Sequence, residues 1–270
     1  MSFAEFFNVL FFCAISALAL FVPIPLHRRI SAWAIGGFGT AVSVFLAYSQ
    51  VLLSEQTSVV LRNWLPAGLI LVAYHQSGRL FVKPWSRFQD FLLGLDRKLL
   101  GRLFQEPEEI KLNAFLSAYL EISYLACYPL IPAALGALIL LDPQSVEEFW
   151  MVVLPSAYFC YALVPIFPAY PPRLLNADRK APIRPGKSRA FNMWILQYAS
   201  IQANTFPSAH VAACTAASLV LLKYDPLVGL GFLWVSLSIA VAAVMRRYHY
   251  LADVVLGIMF PFIPFFLAGG

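Results

Sequence analysis

Apolar residues run along this chain in long blocks separated by short polar breaks. A helix needs about 20 predominantly apolar residues to cross the hydrocarbon core of a bilayer. Eight stretches qualify, at roughly 3–25, 31–53, 64–82, 112–141, 149–169, 207–223, 226–245 and 249–268. The pattern predicts an all-α fold, a polytopic transmembrane helix bundle of about eight spans, with no soluble domain left over. The first stretch lacks a basic leader, and His27-Arg28-Arg29 follows it where a small-residue cleavage site would stand. It is therefore expected to be a retained span and not a signal peptide.

Composition points the same way. The chain is 60% hydrophobic and 12% charged, against about 45–50% and about 25% in an ordinary globular protein. A soluble fold of 270 residues cannot hide that much apolar surface, which excludes a cytosolic enzyme or a disordered regulator. The net charge of +5 sits on residues between apolar runs, where it meets headgroups or anionic substrates, and no basic, aromatic-interleaved module is present to grip nucleic acid. Cys13, Cys127, Cys160 and Cys214 lie inside apolar runs with no CxxC spacing, as small hydrophobes do.

Two polar segments are long enough to carry structure. In 83–111, Phe88, Leu92, Leu95, Leu99 and Leu103 form an apolar row, and Asp90, Gly94, Arg97 and Gly101 lie opposite. That spacing predicts a helix lying in the membrane interface. The second segment, Tyr170 to Thr205, begins Tyr170-Pro171-Pro172-Arg173 and contains Arg179, Lys180, Arg184, Lys187 and Arg189. The chain divides into a two-helix extension over 1–63, a third span with the interfacial helix over 64–111, and a core over 112–270.

Alternating spans bring three distant clusters to one membrane face, here called face A. One is Phe206-Pro207-Ser208-Ala209-His210, opening the sixth span. A helix N-terminus there, capped by Ser208 or Thr205, suits a phosphate. Another is Arg246-Arg247-Tyr248-His249-Tyr250-Leu251-Ala252-Asp253. His249 and Asp253 are spaced to share a helical face, so the carboxylate can hold one imidazole nitrogen protonated and leave the other as nucleophile or base. The third is the basic run from Arg173, able to neutralise phosphate oxygens. Together these groups suit phosphoryl transfer from a lipid at headgroup depth.

The clusters resemble the type 2 phosphatidic acid phosphatase (PAP2) superfamily, whose signature reads K-x6-RP, PSGH and SR-x5-H-x3-D. Pro207-Ser208-Ala209-His210 is similar to the second part, and His249 and Asp253 match the end of the third. Ala209 replaces the glycine, Ala243 stands where the third part has arginine, and Ala177 stands where the first has lysine before Arg184-Pro185. The stretch Phe167-Pro168-Ala169-Tyr170-Pro171-Pro172-Arg173 resembles the inositol phosphorylceramide synthase branch. The resemblance spans roughly 112–268. It implies that His249 attacks phosphorus to form a phosphohistidine, that Asp253 orients it, and that His210 protonates the leaving alcohol and then activates water or an alcohol. Arg173, Arg184 and Ser208 are implied substrate contacts, with Arg246 or Arg247 in place of the missing arginine. It implies no cofactor and no metal, since basic groups supply the charge stabilisation. The expected partners are a membrane lipid substrate and the bilayer, with no nucleic acid.

A transporter using His and Asp as a proton relay is the rival from another class, but transporters place polar groups near the midplane, not at one face. An inactive lipid-binding subunit is motivated by Ala209 and Ala243. His75 and Gln76 are expected to bond between helices. Glu121 either faces the cavity or pairs with a neighbouring helix. The protein is expected to be integral and multi-pass, in the cell (inner) membrane. Of its 19 Lys and Arg residues, all but Arg62 and Lys223 fall on face A, which the positive-inside rule puts in the cytoplasm. The resemblance instead points the site outward, and the side stays open.

Overall fold

The computed structural model describes residues 1–101, 113–175 and 186–270. Those residues form helices and turns with no strand. In order they are α1 (Phe3–Leu18), α2 (Leu26–Leu52), α3 (Glu55–Arg79), α4 (Ser86–Leu100), α5 (Ala114–Leu125), α6 (Cys127–Leu141), α7 (Val146–Ala162), α8 (Pro172–Leu175), α9 (Lys187–Ala199), α10 (Ala209–Tyr224), α11 (Pro226–Met245), α12 (Leu251–Met259) and α13 (Phe262–Leu267). Each apolar stretch read from the sequence is one helix or a broken pair. Helices α2, α3 and α11 are long and apolar enough to cross a membrane singly, and α5 with α6 reaches that length as a span bent by 59°. Helix α1, helix α10 and the pair α12–α13 are apolar but shorter, so the count of eight spans is approximate.

Contacts between helix ends define two faces. On one, Arg28 donates to the Gly78 carbonyl at 2.9 Å and Arg29 to that of Ala19 at 2.9 Å. Trp85 N donates to the Pro168 carbonyl at 2.8 Å, and Leu251 N to Asp96 Oδ1 at 3.0 Å. On the other, Phe3 N reaches Glu147 at 3.0 Å, Arg62 pairs with Glu5, and Lys223 bonds both Glu148 and the Gly269 carbonyl at 2.9 Å. Successive apolar elements therefore run alternately between the faces. Residues 173, 200–210 and 246–253 all gather on the first, face A.

Helix α10 is the centre. From Val211 to Leu221 every residue is buried, and α10 packs on α6, α7, α11 and α12. Ala209, Ala212, Ala213, Ala216 and Ala217 keep its girth small, so neighbouring backbones approach closely, as membrane helices do. Helices α1–α3 pack together beside α7. Buried Gln76 crosslinks them, with Nε2 at 3.1 Å from the Phe12 carbonyl, 2.9 Å from Ser16 Oγ and 3.3 Å from the Ala32 carbonyl. Cys13, one of the four cysteines in apolar runs, is exposed on this unit while the other three are buried, because a helix turns its outer face to lipid as readily as its inner face to protein.

The stretch expected to form an interfacial helix forms α4, and the face it turns towards the protein takes only part of the apolar row. Gln89, Leu92 and Asp96 are buried, whereas Phe91 and Leu99 are exposed; Leu103 lies outside the described residues. Two polar side chains face the protein because they bond the 247–251 turn and Tyr170, and lipid accepts the apolar side chains left outside.

At Gly39 an added Cβ would lie 2.5 Å from the buried Phe12 ring. Gly39→Val should therefore lower thermal stability in detergent, by about 1–3 kcal/mol, the scale of overpacking. An unchanged unfolding temperature would contradict the close α1–α2 approach.

Candidate active site

The site is built on the turn between α11 and α12. The amides of Tyr248 and His249 both fold back onto the Ala243 carbonyl, at 2.8 and 3.0 Å. Arg247 takes a left-handed φ of 62°, which costs a non-glycine residue about 1–3 kcal/mol and must be held by its surroundings. Arg173 N donates to the Arg247 carbonyl at 2.9 Å, and the Arg247 guanidinium lies 3.5 Å from Asp96. Asp96 also accepts from Leu251 N. The Pro-rich segment and α4 thus both brace the turn.

His249 precedes the first residue of α12, so its pairing with Asp253 is not the helical i,i+4 contact expected from spacing. Asp253 instead reaches back from the first turn of α12. Its Oδ2 accepts from Tyr250 N at 3.0 Å and lies 3.3 Å from His249 Nδ1. Asn204 Nδ2 donates to the same oxygen at 2.8 Å. In the tautomer that donates Nδ1–H to the carboxylate, Nε2 keeps its lone pair.

His210 is the second residue of α10. Its ring centroid lies 6.3 Å from that of His249. The rings of Tyr74, Tyr124 and Tyr128 surround it at 6.3, 6.0 and 5.9 Å. The charge of Arg173 acts on His210 and on these three tyrosines. Its guanidinium donates to Ser200 Oγ at 3.1 Å, and Tyr74 hydroxyl donates to that oxygen too, at 3.3 Å. One guanidinium and two imidazoles therefore share one end of the bundle, walled by aromatic rings.

The start of α10 is less open to an anion than expected. Ser208 N donates to the Asp253 carbonyl at 2.9 Å, and Ala209 N to Thr205 Oγ1 at 3.2 Å. Thr205, not Ser208, supplies the side-chain cap, and Ser208 is fully buried.

Glu121 resolves in favour of helix pairing. It is fully buried, and its oxygens accept from Arg189 at 3.1 Å, Asn192 at 2.7 Å, Tyr248 at 2.6 Å and Arg246. Tyr248 stacks on Tyr124 at 3.9 Å. The carboxylate thereby ties α9 and the turn to α5.

Of the residues singled out in the sequence, His210, His249, Asp253, Ser208 and Arg173 come together. Arg247 braces the turn, Arg246 is buried against Glu121, and Arg184, with Arg179, Lys180 and Ala177, lies outside the described residues. Asn204, Asp96, Gln89 and the three tyrosines escaped notice. Asn204 alone left a signal, a polar residue directly ahead of the Thr205–His210 cluster.

The family model of the PAP2 superfamily matches residues 91–267. That is more than half of the chain, and the chain belongs to this superfamily of phosphatase-type and phosphotransferase enzymes. No curated protein and no solved structure matches it.

Two measurements probe the supports. Removing one partner of a buried ion pair strands the others at a cost of about 3–5 kcal/mol, so Glu121→Ala should strongly lower thermal stability, and a wild-type transition would contradict the network. Burial raises the Asp96 carboxyl from the usual carboxylate range to about 6. A group whose pKa is higher folded than unfolded loses its stabilising effect as pH rises through the folded value. The wild type should therefore lose stability relative to Asp96→Asn as pH climbs from about 4 through 6, levelling off above. A difference independent of pH would contradict it.

Proposed function

We propose that this chain is a membrane lipid phosphatase or phosphotransferase that works through a phosphohistidine on His249. The observation that carries the reading is the 6.3 Å approach of the two imidazoles with Asp253 on His249 Nδ1. A phosphoryl group between the rings can be attacked from one side while its leaving oxygen is protonated from the other.

In the first step the His249 Nε2 lone pair forms a bond to phosphorus, and the bond from phosphorus to the leaving oxygen breaks. His210 gives that oxygen its proton, so the lipid departs as an alcohol, or as a monophosphate if the substrate is a pyrophosphate. Asp253 holds the Nδ1 proton and stabilises the positive charge the ring acquires. Arg173 balances the equatorial oxygens, a role that grows as charge spreads in the transition state. In the second step His210 takes a proton from the acceptor, whose oxygen displaces His249 from phosphorus.

The substrate class is a phospholipid or an isoprenyl (pyro)phosphate, because the site lies on one face of an apolar bundle where such headgroups sit. With water as acceptor the reaction is hydrolysis. With an alcohol it is headgroup transfer, as in the inositol phosphorylceramide synthase branch that the 167–173 stretch resembles, and hydrolysis is the first reading. Both use the same intermediate.

The test is turnover by the purified protein in detergent, offered phosphatidic acid, an isoprenyl pyrophosphate, or a phosphoinositide with ceramide. His249→Ala should cost on the order of 10⁴-fold or more in kcat, as loss of a nucleophile does. His210→Ala should cost about 10²–10⁴-fold, the share of an acid–base group. Undiminished activity in His249→Ala would overturn the assignment.

A further inference from the structure

Asn204 makes a contact that the proposed reaction has not yet used. It is fully buried and stands four residues before the start of α10's capping position, in the segment linking α9 to α10. Its backbone is fixed, because Asn204 N donates to the Ala169 carbonyl at 2.8 Å. Its side chain is aimed across at α12, where Nδ2 donates to Asp253 Oδ2 at 2.8 Å. That is the oxygen facing His249 Nδ1 at 3.3 Å. Asp253 Oδ1 has no partner among the described residues, so the interactions of the carboxylate converge on a single atom.

We infer that Asn204 is a positioning residue for the reaction, acting through Asp253 to aim the His249 ring. The inference rests on the reading of His249 as the nucleophile. Two physical arguments support it. A buried carboxylate with one donor removed is left with an unmet share of its hydrogen bonding. A carboxylate so weakened in its hold is a poorer partner for the imidazolium that forms as His249 bonds to phosphorus. Geometry adds to this: a carboxylate held by only the Tyr250 amide and the histidine itself is free to rotate, and the ring it orients rotates with it. An asparagine suits the place because its amide donates without adding a second negative charge. The other titratable side chains acting on Asp253 or near it are those of Asp96, Cys160 and Tyr250; the Tyr250 hydroxyl donates to the Tyr170 carbonyl, and Tyr250 reaches Oδ2 through its backbone amide alone.

The experiment compares Asn204→Ala, Asn204→Asp and Asn204→Ser with wild type and His249→Ala, using whichever lipid substrate the wild type turns over, across pH 5–9. Asn204→Ala should lose about 10–100-fold in kcat, the scale known for groups that orient metal-bound histidines from behind. Its KM should be unchanged, because the side chain touches no substrate. Asn204→Asp keeps the shape but sets a second carboxylate against Asp253. Two such groups share a proton, so its deficit should be largest at high pH and shrink towards acid. Asn204→Ser, with a shorter donor, should fall between Asn204→Ala and wild type.

A structural role would lower the unfolding temperature of the variants and leave the pH profile where it was. Wild-type kcat and pH profile in folded Asn204→Ala and Asn204→Asp, beside an inactive His249→Ala, would overturn this inference and leave the nucleophile assignment standing. An active His249→Ala would overturn the nucleophile assignment itself. Loss of fold in all three Asn204 variants would also overturn the positioning role, since such a role leaves the fold intact.

Discussion

A carboxylate carried into an apolar helix bundle must find its donors within the protein, and the site is arranged around one that does. Asp253 Oδ2 gathers Asn204 Nδ2, Tyr250 N and His249 Nδ1 within 2.8–3.3 Å. Those three groups come from the α9–α10 connection and from the turn after α11. Satisfying the charge therefore fixes where separate parts of the chain meet. The Ser208 amide on the Asp253 carbonyl extends the same constraint to the start of α10, which places His210. Binding energy that stabilises the buried charge and geometry that suits catalysis are one and the same set of contacts.

A second carboxylate does comparable work one layer away. Glu121 holds Arg189, Asn192, Arg246 and Tyr248, so α5, α9 and the turn move together. This explains how the turn tolerates Arg247 at positive φ: its flanks are tied to Glu121 on one side and to Asp96 on the other. It also distinguishes the neighbouring arginines. Arg246 and Arg247 serve the turn that carries His249, and Arg173, reaching the site from the Pro-rich segment, is the guanidinium whose charge acts on His210.

Much of this was legible before the structure. Hydropathy alone marks the apolar elements, because a bilayer imposes a length that any crossing helix must meet. Alternation between faces then brings residues near 173, 207 and 249 together without knowledge of side-chain packing. What spacing could not convey was the route of each contact. His249 and Asp253 read as helical neighbours, yet they meet across a helix N-terminus. The apolar row of α4 read as the mark of a helix in the membrane interface, but the row itself divides, with Leu92 buried in the protein and Leu99 exposed, and Gln89 and Asp96 turn inward beside Leu92 because they bond the turn and Tyr170. Glu121 and Asn204 depend on partners 49 to 127 residues away in sequence, and no local pattern announces such pairs.

The central claim is that His249 and His210 act on one phosphorus atom. The most direct test is to mix the protein with its labelled substrate, quench within one turnover under alkaline conditions that preserve a phosphorus–nitrogen bond, and map the modified peptide by mass spectrometry. The account predicts phosphate on His249 in the wild type and its accumulation in His210→Ala when the leaving group needs no proton. Phosphate on any other residue, or steady turnover with no phosphorylated His249 at any time, would contradict it.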